Sequence, residues 1–256
     1  MTFEYVSVED AIQRRGLRMV VVGNVPSPWG EAAKGILHIK GIEWAAVRLV
    51  YDSEPLKAWA GQRSGPVAIY NQDPPRSGWM QILMLAEELA PKPSLLPLQP
   101  TERGRVAALG EKFCGERGLG WMRRLQMAHA GLQKSGGFPE PIASYLGKKY
   151  GYDASVSETY GARVRELLSE VGGVLRAQRE AGKPYYLGDT LSAADVYSAT
   201  FMALFKPLAE EYCRMEPAVR AAFAWLDDAT AAAIDPVLLE HRDMMYERHL
   251  ELPLSL

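Results

Sequence analysis

Strand signals stop partway along this chain, and that restricts its fold more than any other feature. Short β-branched or apolar runs occur at residues 17–23 (LRMVVVG), 43–50 (EWAAVRLV) and 65–72 (GPVAIYNQ), the pattern of buried strands. After the proline-rich stretch APKPSLLPLQPTERGR, residues 90–105, every apolar pattern has helical spacing. Prolines and small polar residues of this kind mark a boundary between units. The chain is therefore expected to form a small α/β unit followed by an all-helical one. The division is residues 1–92, with 1–16 as an N-terminal extension, a linker at 93–104, and a helical domain at 105–256.

Within the first unit, Ser27-Pro28 reads as a helix cap followed by proline at the first helical position. Trp29, Ala33, Ile36 and Leu37 then follow at helical spacing, and Gly41 is a stop. A short polar helix after the second strand and a helix over residues 80–90 (MQILMLAEELA) complete the unit. In the second, residues 106–130 form one helical pattern, and Val164, Leu167, Leu168, Val171, Val174 and Leu175 form the apolar stripe of another. Residues 134–153, KSGGFPEPIASYLGKKYGYD, read as a Gly/Pro/Tyr-rich interruption between them.

Composition removes several function classes. The 29 basic and 31 acidic residues nearly balance, so nothing electrostatic points to nucleic acid or an anionic membrane. No apolar run has the length of a signal peptide or a membrane span, and a cytoplasmic location is expected. Cys114 and Cys213 lie far apart in different helical patterns, which argues against a disulfide framework. His38, His129, His241 and His249 lack metal-ligand spacing, so no metal is implied. The glycines of GERGLG near Gly115 follow no strand, so they form no dinucleotide loop, and no tightly bound cofactor is implied.

Three stretches, in order and well separated, together resemble the glutathione S-transferase family: VPSPWGEAAKGILHIKGIEW (25–44), LLPLQPTERGRV (95–106) and YYLGDTLSAADV (185–196). The resemblance spans nearly the whole chain. It implies a thioredoxin-like N-terminal domain, a helical C-terminal domain, a homodimer, and glutathione as co-substrate. The third stretch also has a physical reading: Ser192 caps a helix, Asp195 reaches back in a capping box, and Leu191 and Val196 are spaced for a hydrophobic staple. That motif concerns folding, and no catalytic role attaches to Asp195.

The resemblance places Ser27 where the family carries its active-site serine or cysteine. A thiol with a pKa of about 8.5 is mostly protonated at neutral pH. A hydroxyl donor at a helix N-terminus would favour the thiolate by hydrogen bonding and through the helix dipole. Read locally, Ser27 is simply an N-cap. No G-x-S-x-G surrounds it, which argues against serine hydrolase chemistry. Gly65-Pro66 matches the family's cis-proline position, where the preceding backbone aligns the glutathione peptide. The family's Glu-Ser pair, which binds the γ-glutamyl end, falls here on Gly78 and Trp79. Arg76 and Ser77 are the candidate replacements, with Arg76 able to grip a carboxylate or to stand as an ordinary solvated arginine.

For the electrophile, the resemblance points to the start of the helical domain. The candidates are Phe113, Trp121, Met122 and Leu125, with Tyr145 and Tyr150 from the interrupted segment; apolar residues at such spacing also serve as plain core. Trp29 is either a wall of the pocket or an anchor for the first helix. The expected function is activation of the glutathione thiol for attack on a small hydrophobic electrophile. The alternative is a non-catalytic binding or interaction protein on the same fold.

Overall fold

The computed structural model describes residues 4–256. In chain order its elements are β1 (Tyr5–Val6), α1 (Val8–Gln13), β2 (Leu17–Val21), α2 (Pro28–Ile39), β3 (Trp44–Arg48), α3 (Glu54–Ala60), β4 (Val67–Tyr70) and α4 (Trp79–Leu89). Helices α5 (Pro100–Cys114), α6 (Leu119–Leu132), α7 (Glu140–Tyr150), α8 (Glu158–Glu180) and α9 (Ala193–Phe201) follow. The last three are α10 (Pro217–Ala224), α11 (Asp228–Ala233) and α12 (Pro236–Arg248).

The sheet has the order β1-β3-β2-β4, with β2 parallel to β3 and antiparallel to β4. Every residue of β2 is buried, as befits a central strand covered on both faces. One face packs Leu17, Met19 and Val21 against Ile36 and Leu37 of α2 and Ile82 and Leu83 of α4; that core continues through Phe113, Leu125 and Phe201 of the helical half. The other face buries Val20, Val47 and Ile69 against Leu56 and Ala60 of α3 and Ala11 of α1.

Within the extension before Leu17, Tyr5 and Val6 thus belong to the sheet. Strand β1 pairs in parallel with the edge of β3. Buried Arg18 on β2 ties the extension down, donating to the carbonyls of Ala11 (3.0 Å), Gly16 (2.7 Å) and Asn71 (2.8 Å). A guanidinium inside a sheet is tolerable only when its donors are met in this way.

Two sequence expectations need correction. Residues 106–130 are not one helix: the chain breaks between α5 and α6, where Arg117 takes φ +64° and Gly118 becomes the N-cap of α6. Helical periodicity runs on across the break because both helices bury a stripe in the same core. The Gly/Pro/Tyr-rich interruption is also largely helical, since Pro141 sits in the first turn of α7, where it costs no hydrogen bond. Helix α5 itself begins at Pro100, inside the stretch read as a linker.

Candidate functional site

The end of β2, the start of α2, the turn into β4, and helices α6, α7 and α10 enclose a cavity of about 620 Å³. Ser27 lies on its wall. It is the N-cap residue of α2, and its carbonyl accepts from Glu31 N–H at 2.8 Å. Its side chain, however, makes no capping bond. Only 6% exposed, Ser27 lines the cavity at the N-terminus of a 12-residue helix. The local expectation of a capping serine therefore holds for the backbone and fails for the side chain.

The wall also includes Gly65 and Pro66, joined by a cis peptide bond, and Ser77. Trp29 plays both roles left open for it. Its ring lines the cavity, while its indole N–H donates to the Cys114 carbonyl at 2.9 Å and its face meets Phe201 edge-on at 5.0 Å. Gly120 permits this close approach, because a Cβ there would stand 2.4 Å from the Phe201 ring and 2.8 Å from Trp29.

At the start of α4, where the resemblance leads one to expect a Glu-Ser pair, two backbone donors are engaged within the chain. The Gln81 side-chain oxygen accepts from Ser77 N–H (3.2 Å) and Gly78 N–H (3.1 Å). Trp79 turns into the core against Gly110 and meets Tyr197 edge-on. Arg76 pairs in the backbone with Ala68 through an isolated antiparallel bridge, and its guanidinium bonds Glu88 at 2.8 Å. It does not line the cavity; Ser77 does.

On the electrophile side, Trp121, Tyr145 and Tyr150 line the cavity. Phe113, Met122 and Leu125 do not. They are buried in the core, with Phe113 between Tyr186 and Phe201. Helical spacing marks a buried stripe but does not tell which side of it faces a cavity. Sequence reasoning missed Tyr51, Arg124, Ile142, Leu146 and Lys149, all on the wall. Burial raises the phenol pKa values of Tyr51 and Tyr145, which keeps both as neutral donors.

Neither cysteine can replace Ser27. Both lie outside the cavity wall. Burial pushes the Cys213 thiol up to about 11 and the Cys114 thiol well above its ordinary value, so both stay protonated and unreactive at neutral pH. Among the described residues no cluster of metal-ligating side chains occurs, and no helix is long and apolar enough to cross a membrane.

No protein-family model and no curated protein matches the chain by sequence. Solved structures do match by shape. A glutathione S-transferase from Methylobacterium radiotolerans JCM 2831, in complex with glutathione sulfonate, superposes with a TM-score of 0.59 at 19% identity, over 91% of each chain. One from Methylobacillus flagellatus KT with glutathione bound gives 0.58 at 15% identity, over 91% of this chain and 96% of the other. The chain has the glutathione S-transferase fold. A glutathione transferase homologue from Sulfitobacter with bound glutathione gives 0.57 at 17% identity, over 92% and 94%. Within that fold, the strands and α1–α4 form the thioredoxin-like part and α5–α12 the helical part.

Proposed function

We propose that this protein binds glutathione in the cavity and activates its thiol for attack on a small hydrophobic electrophile held against the helical part. One observation carries the reading: Ser27, a buried residue at the N-terminus of α2, makes no side-chain capping bond and lines the cavity together with Gly65 and Pro66. A hydroxyl not used in capping can donate to a bound thiolate. The helix N-terminus favours the same negative charge. Gly65 and Pro66 would align the glutathione peptide through backbone groups, and Ser77 would add a polar contact. Trp29 would wall the thiol from water. Arg76 would contribute only by exchanging Glu88 for a glutathione carboxylate. The division at residues 93–104 would then separate a glutathione-binding unit from an electrophile-binding one. Glutathione bound by the structural neighbours, together with the shared fold, supports this reading.

A second reading is favoured by the start of α4, where Gln81 occupies the Ser77 and Gly78 donors. It is a non-catalytic binding protein on the transferase fold. The two readings separate spectroscopically. Reduced glutathione added to the protein at neutral pH should develop the ultraviolet absorbance of a thiolate. Binding without that absorbance would favour the scaffold.

A further inference from the structure

The electrophile side of the cavity carries charge that an apolar ligand does not need. Arg124, on α6, is 7% exposed and lines the cavity. Its Nε is buried without a hydrogen-bond partner, and among the described residues the side chain makes no ion pair. Its guanidinium lies over the rings of Trp29 (5.5 Å) and Tyr150 (5.6 Å). Cation–π contact offsets part of the lost hydration, but it leaves the buried Nε–H unmet. Buried arginines elsewhere in this fold are treated differently. Arg18 spends its donors on three carbonyls, and Arg123 donates to the Leu204 carbonyl (3.1 Å) and Gln126 (2.7 Å).

A second cation converges on the same place. Lys149, at the rim on α7, holds its ammonium 5.7 Å from the Tyr51 ring and 6.0 Å from Tyr150, again without an ion pair among the described residues. Burial lowers the pKa of that ammonium, and the nearby Arg124 lowers it further. The single carboxylate on the wall, Glu216, is occupied as the cap of α10, accepting from Ala218 and Val219 N–H. Two like charges around one aromatic ring, with no ion-pair partner among the described residues, repel each other, and an anion between them would relieve that repulsion.

We propose that the second ligand of this cavity is an aromatic anion, a planar ring bearing a carboxylate or sulfonate. Its oxyanion sits between Arg124 and Lys149, and its ring packs against Tyr51, Trp121, Tyr145 and Tyr150. The geometry of a guanidinium fork suits such an oxyanion, and the neutral phenols add donors. As a substrate class this rests on the transferase reading; as a binding site it does not.

The test uses a matched pair of fluorescent probes, 8-anilino-1-naphthalenesulfonate and the uncharged N-phenyl-1-naphthylamine, titrated without glutathione. The sulfonate is expected to bind the wild-type protein more tightly, and added salt should narrow the difference. Arg124→Met and Lys149→Met should each weaken the sulfonate about tenfold, the scale of one charge-assisted contact, and leave the neutral arene within twofold. Should Arg124→Met fail to fold, Lys149→Met at the exposed rim and the wild-type preference still decide. Equal affinity for the two probes, or equal losses of both in the variants, would overturn the proposal. So would variants that lose glutathione affinity but keep the sulfonate, since the cations would then belong to glutathione. A wild-type protein that ignores glutathione yet keeps sulfonate selectivity would sink the transferase reading and leave this site standing.

Discussion

Ser27→Ala is expected to lower glutathione-dependent turnover by roughly a hundredfold, the usual cost of removing one preorganised donor from a developing or stabilised anion. The hydroxyl makes no capping bond, so its loss should leave the α2 N-terminus and the thermal midpoint almost unchanged. That separates it from an ordinary capping serine, whose replacement by alanine costs about 1 kcal/mol. Glutathione affinity should change far less than turnover, because in the proposed mode most of the peptide contacts would lie elsewhere on the wall. The thiolate absorbance of bound glutathione should disappear, since each unit of thiol pKa is worth about 1.4 kcal/mol of differential stabilisation. A variant that keeps full turnover would remove Ser27 from the chemistry. One that loses 1 kcal/mol or more of stability would return it to the role of a cap.

Asp195→Ala is expected to produce the largest loss of stability, with no direct effect on the cavity. The carboxylate is fully buried and accepts from Tyr186 N–H (2.9 Å), Ser192 N–H (2.9 Å) and Ser192 Oγ (2.8 Å). Alanine would leave these donors unmet in the core, and each unmet donor costs about 1–3 kcal/mol. A total of about 3–5 kcal/mol, or on the order of 10 °C in the melting midpoint, follows for a chain of this size. Asp195→Asn should not restore it fully, because the amide nitrogen would face either the Tyr186 or the Ser192 N–H. Calorimetric unfolding of the two variants measures this directly. A drop below about 1 kcal/mol for alanine would mean that water enters and replaces the carboxylate.

The parts of the molecule that could be read from the sequence are the locally determined ones. β2, α2 and the Ser192–Asp195 capping box depend on neighbours in the chain, and each stands where its residues indicate. The same locality explains the errors. Phe113, Met122 and Leu125 have the spacing of a buried stripe, but whether a stripe faces a core or a cavity depends on how the helical part docks on the sheet. Arg124 and Lys149 reach the wall through that docking alone. The break at Arg117–Gly118 was hidden because both flanking helices carry in-phase apolar residues. Gln81 was missed for a different reason: the departure at Gly78-Trp79 draws attention to the absent pair, while the side chain that engages the Ser77 and Gly78 N–H groups lies one turn further on.

The transferase function proposed for this cavity turns on whether it accepts glutathione without the Glu-Ser pair. Isothermal titration of the wild-type protein with reduced glutathione answers that question. Saturable binding at one site per chain, with a Kd in the range of roughly micromolar to millimolar found for enzyme substrates, is the expected result. No heat of binding at millimolar glutathione would contradict the account and leave Gln81 as the residue that closed the site.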